Sequence, residues 1–189
     1  MPAPDAKADF VSWKIDLNQP SGTNVPNPVV IIDVPLEFPR IDERFMTSVC
    51  DRLFLNVFIP EKSGGRKNIF HGLNGLAMHN PKTGLTRWSY GDEPLVQGPV
   101  FILRTPVTPE GDGWVVVTIK RRGLNRNDSV VLDTREFEKP VAIVQLPLHL
   151  KAQIHGNWIE ASILPEWASY VRDIPEVQIN NQGALEPLA

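Results

Sequence analysis

Two stretches of this sequence bring together residue types that could do chemistry. In "LKAQIHGNWIE" the imidazole of His155 closes an apolar stretch and is followed by glycine and tryptophan. In "VPLEFPRIDERF" the carboxylate of Glu37 sits among apolar residues, with Pro35 and Pro39 restraining the backbone on either side. A neutral imidazole can ligate a borderline metal or carry a proton. A partly desolvated carboxylate needs a donor to hold its charge. On spacing alone, Glu37 reads as the ion-pair partner of Arg40 or Arg44, and His155 as a hydrogen-bonded structural histidine. Asp42, Glu43 and Arg44 read as surface or corner residues. Glycine-rich phosphate loops, C-x-x-C pairs, G-x-S-x-G elbows and H-E-x-x-H helices are all absent.

The elements available to position these residues are strands. Proline is abundant and falls between apolar runs, and sustained helical periodicity is nearly absent. "FVSWKIDL", "PVVIIDV", "RLFLNVFI", "GLAMHN", "LTRWSY", "PVFILRT", "GWVVVTIK", "SVVLDT" and "VAIVQLP" are short, rich in β-branched or aromatic residues, and bounded by Gly, Pro, Asn or Asp. "NPKTG" and "EGDG" carry the proline and glycine of tight turns, which makes the flanking strands antiparallel hairpins. "GLAMHNPKTGLTRWSY" and "SVVLDTREFEKPVAIVQL" share a plan of apolar strand, Asn/Asp corner, turn and returning strand, offset by roughly fifty residues, the period of a propeller blade. The reading is all-β, a run of antiparallel meander units, with a β-sandwich fitting the strand count equally well. "ILPEWASYVRDI" suits a short helix or an extended arm alike.

Composition narrows the classes. The 189 residues suffice for one domain with a tail, and the formal net charge is −3. The one basic cluster, "IKRRGLNRND", lacks an aromatic platform and reads as a solvated hairpin turn, so nucleic acid is not an expected partner. Cys50 is the single cysteine, and no apolar run approaches the ~20 residues of a spanning helix. "MPAPDAKADF" has neither a basic nor an apolar leader region. The expectation is a soluble protein of a reducing compartment, cytoplasmic or peripheral to membranes.

The order and spacing of "LEFPRIDERFMT", "NGLAMHNPKTG", "GPVFILR", "EGDGWVVV", "VVLDTREFEKPVAIVQLP" and "IHGNW" resemble the carboxy-terminal part of the carotenoid oxygenases, which include carotenoid, apocarotenoid and lignostilbene cleaving dioxygenases and the retinoid isomerohydrolases. The resemblance runs from about Phe10 to about Ile159. It implies a seven-bladed β-propeller whose axis holds a non-haem Fe(II) on four histidines, with carboxylates orienting three of the imidazoles. By that resemblance His155 is the last of the four iron ligands and Glu37 is one of the orienting carboxylates, while His71, His79 and His149 fall on no ligand position. It further implies residues 10–160 as part of a propeller, 1–9 as an extended or disordered start and 161–189 as an arm or tail.

The implied activity is oxidative cleavage of a conjugated C=C bond with dioxygen, on an apolar polyene or stilbene. Imidazole suits Fe(II) and leaves positions open, and a carboxylate on the far ring nitrogen fixes tautomer and basicity. The chain departs from the family at Gly98, where an acidic residue commonly precedes "PVF". Only about the last third of the pattern is present, so three ligands and most of the substrate tunnel are expected upstream of Met1 or on a partner chain. The chain alone is accordingly expected to be inactive. The other function in play is a non-catalytic β-meander protein or degenerate paralogue acting through protein–protein contacts at exposed strand edges.

Overall fold

The computed structural model describes residues 9–63, 72–91, 93–151 and 154–164, together with the backbone of 177–179 and 185–187. Among the described residues helix is limited to short 3-10 turns, and everything else regular is strand. Strands β1 (Phe10–Ser12) and β2 (Val29–Ile32) form an antiparallel pair. A first meander unit follows, with β3 (Leu36–Arg40), β4 (Leu53–Val57), β5 (Gly75–Asn80) and β6 (Gly84–Trp88) paired in that order.

The second unit has β7 (Pro94–Val96) and β8 (Val100–Leu103) sharing one edge of β9 (Gly113–Arg121). Strands β10 (Arg126–Asp133) and β11 (Pro140–Leu146) complete it. Strands β12 (Val177–Ile179) and β13 (Leu185–Pro187) pair separately. Among the described residues each sheet takes its strands consecutively from the chain and all pairings are antiparallel, the meander arrangement that the turn chemistry predicts. "ILPEWASYVRDI" lies almost wholly outside the described residues.

The two similar stretches are the outer hairpins of the two units, β5–β6 and β10–β11. Their corners are built alike. The Lys82 amide donates to Asn80 Oδ1 at 2.7 Å, and the Arg135 amide donates to Asp133 Oδ1 at 2.9 Å. A short polar side chain caps its own backbone two residues on in each case, which is why Asn and Asp recur there. Gly84 (φ 84°) ends the first turn and Gly111 (φ 66°) the turn before β9, conformations open to glycine at little cost.

Strand β4 explains how the layers hold together. Its apolar run is buried on both faces: Phe54 enters the core between the units, with Leu76, Trp88, Val115, Val117, Ile119 and Leu132, and Leu55 and Val57 face Ile32, Leu36 and Ala77. Each such side chain contributes about 1.5–3 kcal/mol through burial. Phe54 stacks on Phe101 of the second unit at 5.1 Å between ring centroids. At the far end of the second unit β11 is exposed along almost all its length.

The "IKRRGLNRND" hairpin is solvated only at its tip, where Leu124 is exposed and Asn125 adopts a left-handed φ of 46°. Asp128 is fully buried, which corrects the reading of the whole cluster as solvated. Arg126 grips its carboxylate at 2.7 and 2.9 Å and Arg121 approaches to 3.5 Å. The buried charge is tolerable because guanidinium donors surround it.

Candidate functional site

The inner strands of the two units are irregular where they lie side by side. Strand β3 begins in register, Leu36 opposite Val57 and Glu37 opposite Asn56, and then gains one residue, so that Arg40 falls opposite Phe54. The extra residue is Phe38, at φ 55°, a bulge between the two prolines. The corresponding edge of the second unit is interrupted at Gln97, Gly98 and Pro99, between β7 and β8. Buried Asn56 joins the two: its Nδ2 donates to the carbonyls of Val96 and Gln97 at 2.8 and 2.9 Å. A lone asparagine inside the apolar run "LFLNVF" was the available signal for this junction, and the sequence reading assigned it no role.

The segment carrying His155 lies across this junction without pairing as a strand. A Cβ on Gly98 would stand 2.5 Å from the Ile154 carbonyl oxygen and 3.7 Å from the Phe38 Cβ, so the chain crosses where only glycine leaves room. Gly98 thus has a steric reason to be present that the missing acidic residue did not suggest. The His155 ring meets the edge of Phe38 in a T-shaped contact, centroids 5.5 Å apart and planes at 86°. Arg40 Nη2 donates to the Gly156 carbonyl and, at 3.0 Å, to Asn157 Oδ1.

Glu37 is exposed on β3, next to Phe38. Neither arginine pairs with it, contrary to the expectation from spacing. Arg40 is occupied with the His155 segment and approaches Glu43 only at 3.8 Å. Arg44 binds Asp42 at 2.6 Å and the carbonyls of Pro106 and Thr108 at 3.0 and 3.1 Å. Asp42 is no surface corner: it is 2% exposed and also accepts the Gly111 amide. Burial pushes its carboxyl up, but the Arg44 guanidinium and the Gly111 and Arg44 amides outweigh that and hold it below the ordinary aspartate value.

The other described histidines, His79 and His149, stand apart. His79 lies on β5 opposite Leu53. Burial lowers its imidazole from the ordinary value, and its Nδ1 has no partner among the described residues. His149 is exposed beyond β11. His71 lies outside the described residues. No group of three or more His, Cys, Asp or Glu that could hold a metal occurs among the described residues. The donors present fit one position of an imidazole-rich site: an exposed ring on a built rim, with one carboxylate on the adjoining strand. Beside this rim is a cleft of about 360 Å³ between the end of β3, strand β8 and residues 157–160. No helix among the described residues is long and apolar enough to cross a membrane.

Comparison with known proteins adds four observations. The family model described as retinal pigment epithelial membrane protein matches residues 2–160. The chain is 54% identical to resveratrol cleavage oxygenase 1 of Botryotinia fuckeliana over its whole length and 34% of that protein. It is 31% identical to carotenoid cleavage oxygenase 1 of Neurospora crassa, covering 84% of this chain and 32% of the relative. Among solved structures, Pseudomonas brassicacearum lignostilbene dioxygenase superposes with a TM-score of 0.71 at 34% identity, over 79% of this chain and 32% of that one. The chain therefore spans about a third of the length of the relatives it matches.

Proposed function

Since the chain belongs to the carotenoid oxygenase family, we propose that it forms the carboxy-terminal part of an enzyme that cleaves a conjugated carbon–carbon double bond with dioxygen at a non-haem Fe(II) site. In this reading the two meander units, within residues 10–160, are neighbouring blades of a seven-bladed propeller whose axis runs past β3 and the β7–β8 edge, with 1–9 a leading segment and 161–189 an arm. The remaining blades, three further histidine ligands and most of the substrate tunnel belong to the rest of the family's length. The 54% identity to a resveratrol cleavage oxygenase favours a stilbene over a carotenoid or apocarotenoid substrate.

The observation that carries the proposal is the meeting of His155 and the Glu37 strand on one rim through the Phe38 ring. His155 offers one neutral imidazole nitrogen to the metal. Glu37, unclaimed by either nearby arginine, is free to accept the ring N–H of a ligating imidazole, which fixes its tautomer and raises its basicity. Fe(II), when bound, supplies open positions at which dioxygen is activated. The apolar side chains of β8 line one wall of the neighbouring cleft.

The test uses a chimera in which residues 1–189 replace the matching third of the Botryotinia relative. His155→Ala is expected to abolish resveratrol cleavage and iron retention together. Glu37→Gln keeps the shape, loses the charge, and is expected to slow cleavage by about one to two orders of magnitude with the fold intact. Full iron occupancy in His155→Ala would overturn the ligand assignment, and full turnover in Glu37→Gln would overturn the orienting role.

A further inference from the structure

We infer that Arg40 is a positioning residue for His155, an inference that rests on the ligand reading above. The segment from Ile154 to Trp158 has no ladder of its own, so its backbone must be held by side chains. Gly98 gives it room and the Phe38 ring gives it an apolar edge, but neither fixes it along its length. Arg40 does: one guanidinium nitrogen donates to the carbonyl of the residue following His155 and to the Asn157 side chain. Charge-assisted hydrogen bonds of this kind are about twice as strong as neutral ones.

The bulge is what makes the contact available. In an unbroken ladder Arg40 would lie opposite Leu53, whose side chain faces β1 and β2. The extra residue at Phe38 shifts it opposite Phe54, onto the face that looks toward the second unit and the His155 segment. A one-residue register shift turns a side chain to the opposite face. The strained backbone at Phe38 therefore does two things at once: it places a ring against His155 and aims the guanidinium that anchors the next peptide. A lysine at this place would bring a single point charge without the planar fork.

The experiment measures chymotryptic cleavage after Trp158 in this chain and iron retention through desalting in the chimera, for Arg40→Ala and Arg40→Lys beside His155→Ala. Arg40→Ala is expected to speed that cleavage by about tenfold, the scale of one lost charge-assisted hydrogen bond, with cleavage after Trp114 in β9 unchanged. Iron retention is expected to fall with it, and Arg40→Lys to fall between wild type and Arg40→Ala in both measurements. Unchanged cleavage in Arg40→Ala would overturn the inference. Faster cleavage with full iron, while His155→Ala loses iron, would also overturn it and leave the ligand reading standing. Full iron in all three variants would remove the ligand reading itself, and the inference with it.

Discussion

The two meander units share their outer hairpins and differ at their inner edges. Asn80 and Asp133 cap the same corner in the same way, and both units send alternate side chains into the core between them. At the inner edge one unit has a bulged strand with a left-handed phenylalanine, while the other has a broken strand with Gly98 at the break. Outer hairpins answer only to packing and turn chemistry, which are the same for every unit, so they can repeat. Inner edges meet the crossing segment differently, one offering the Phe38 ring and the other the room that Gly98 leaves, so they diverge, and both divergences meet beneath His155.

The largest expected effect removes what the units share. Phe54 is fully buried between them and stacks on Phe101, so Phe54→Ala is expected to cost about 3–5 kcal/mol. Chemical denaturation should show both units losing stability in one transition. Separate transitions, with only the first unit weakened, would show that the shared core does not couple them.

The corners offer a finer comparison. Asn80→Ala loses a neutral cap and is expected to cost about 1 kcal/mol. Asp133→Ala loses the same cap and also the Arg104 partner at 2.6 Å, so its cost should be larger, about 1.5–3 kcal/mol. Equal costs in urea titrations would mean that the ion pair adds nothing to the second corner.

The smallest effect separates the units by pH. Burial holds the His79 imidazole of the first unit below its ordinary value. The unfolded chain therefore binds a proton that the folded chain resists once pH falls below about 6.5, and stability declines from there toward the folded value. In the second unit, Asp112 is held low by the Arg135 guanidinium and then by Arg104, against burial. Burial raises Asp133, and Arg104 with the Arg135 amide more than offsets it. Their contribution is complete above the unfolded value of about 3.9 and is lost as pH falls through the folded values. His79→Gln should flatten the melting temperature between pH 7 and 5 and leave the acid limb in place. A persistent slope in that window would place the titrating group elsewhere.

Sequence alone disclosed the strands wherever β-branched runs end in turn residues; "GLAMHN" coincides with β5 residue for residue. Strand β3 went unread because Pro35 before it and Pro39 within it argue against a strand, and only pairing with β4 makes it one. β7, Pro94–Val96, is too short to carry a period. Strand β1 stops at Ser12 although "FVSWKIDL" continues the pattern, since Trp13, Ile15 and Leu17 are exposed and have no core to join. Family resemblance singled out His155 and Glu37. What surrounds them was hidden for one physical reason: Arg40 reaches Gly156 and Gly98 meets Ile154 across long chain separations, and no local pattern records such approaches.

The bareness of β11 has a colloidal consequence. "VAIVQL" carries no charge and no proline, and Val141 and Val144 are each more than half exposed. A short uncharged run of high β-propensity at a sheet edge is the kind of segment that stacks with copies of itself. Lys139 and Pro140 stand before it and Pro147 after it, a charge and two ring-locked residues bracketing the run at the positions where gatekeepers limit self-stacking. For the isolated span, resistance to self-stacking in concentrated solution thus rests on its brackets more than on the strand they enclose.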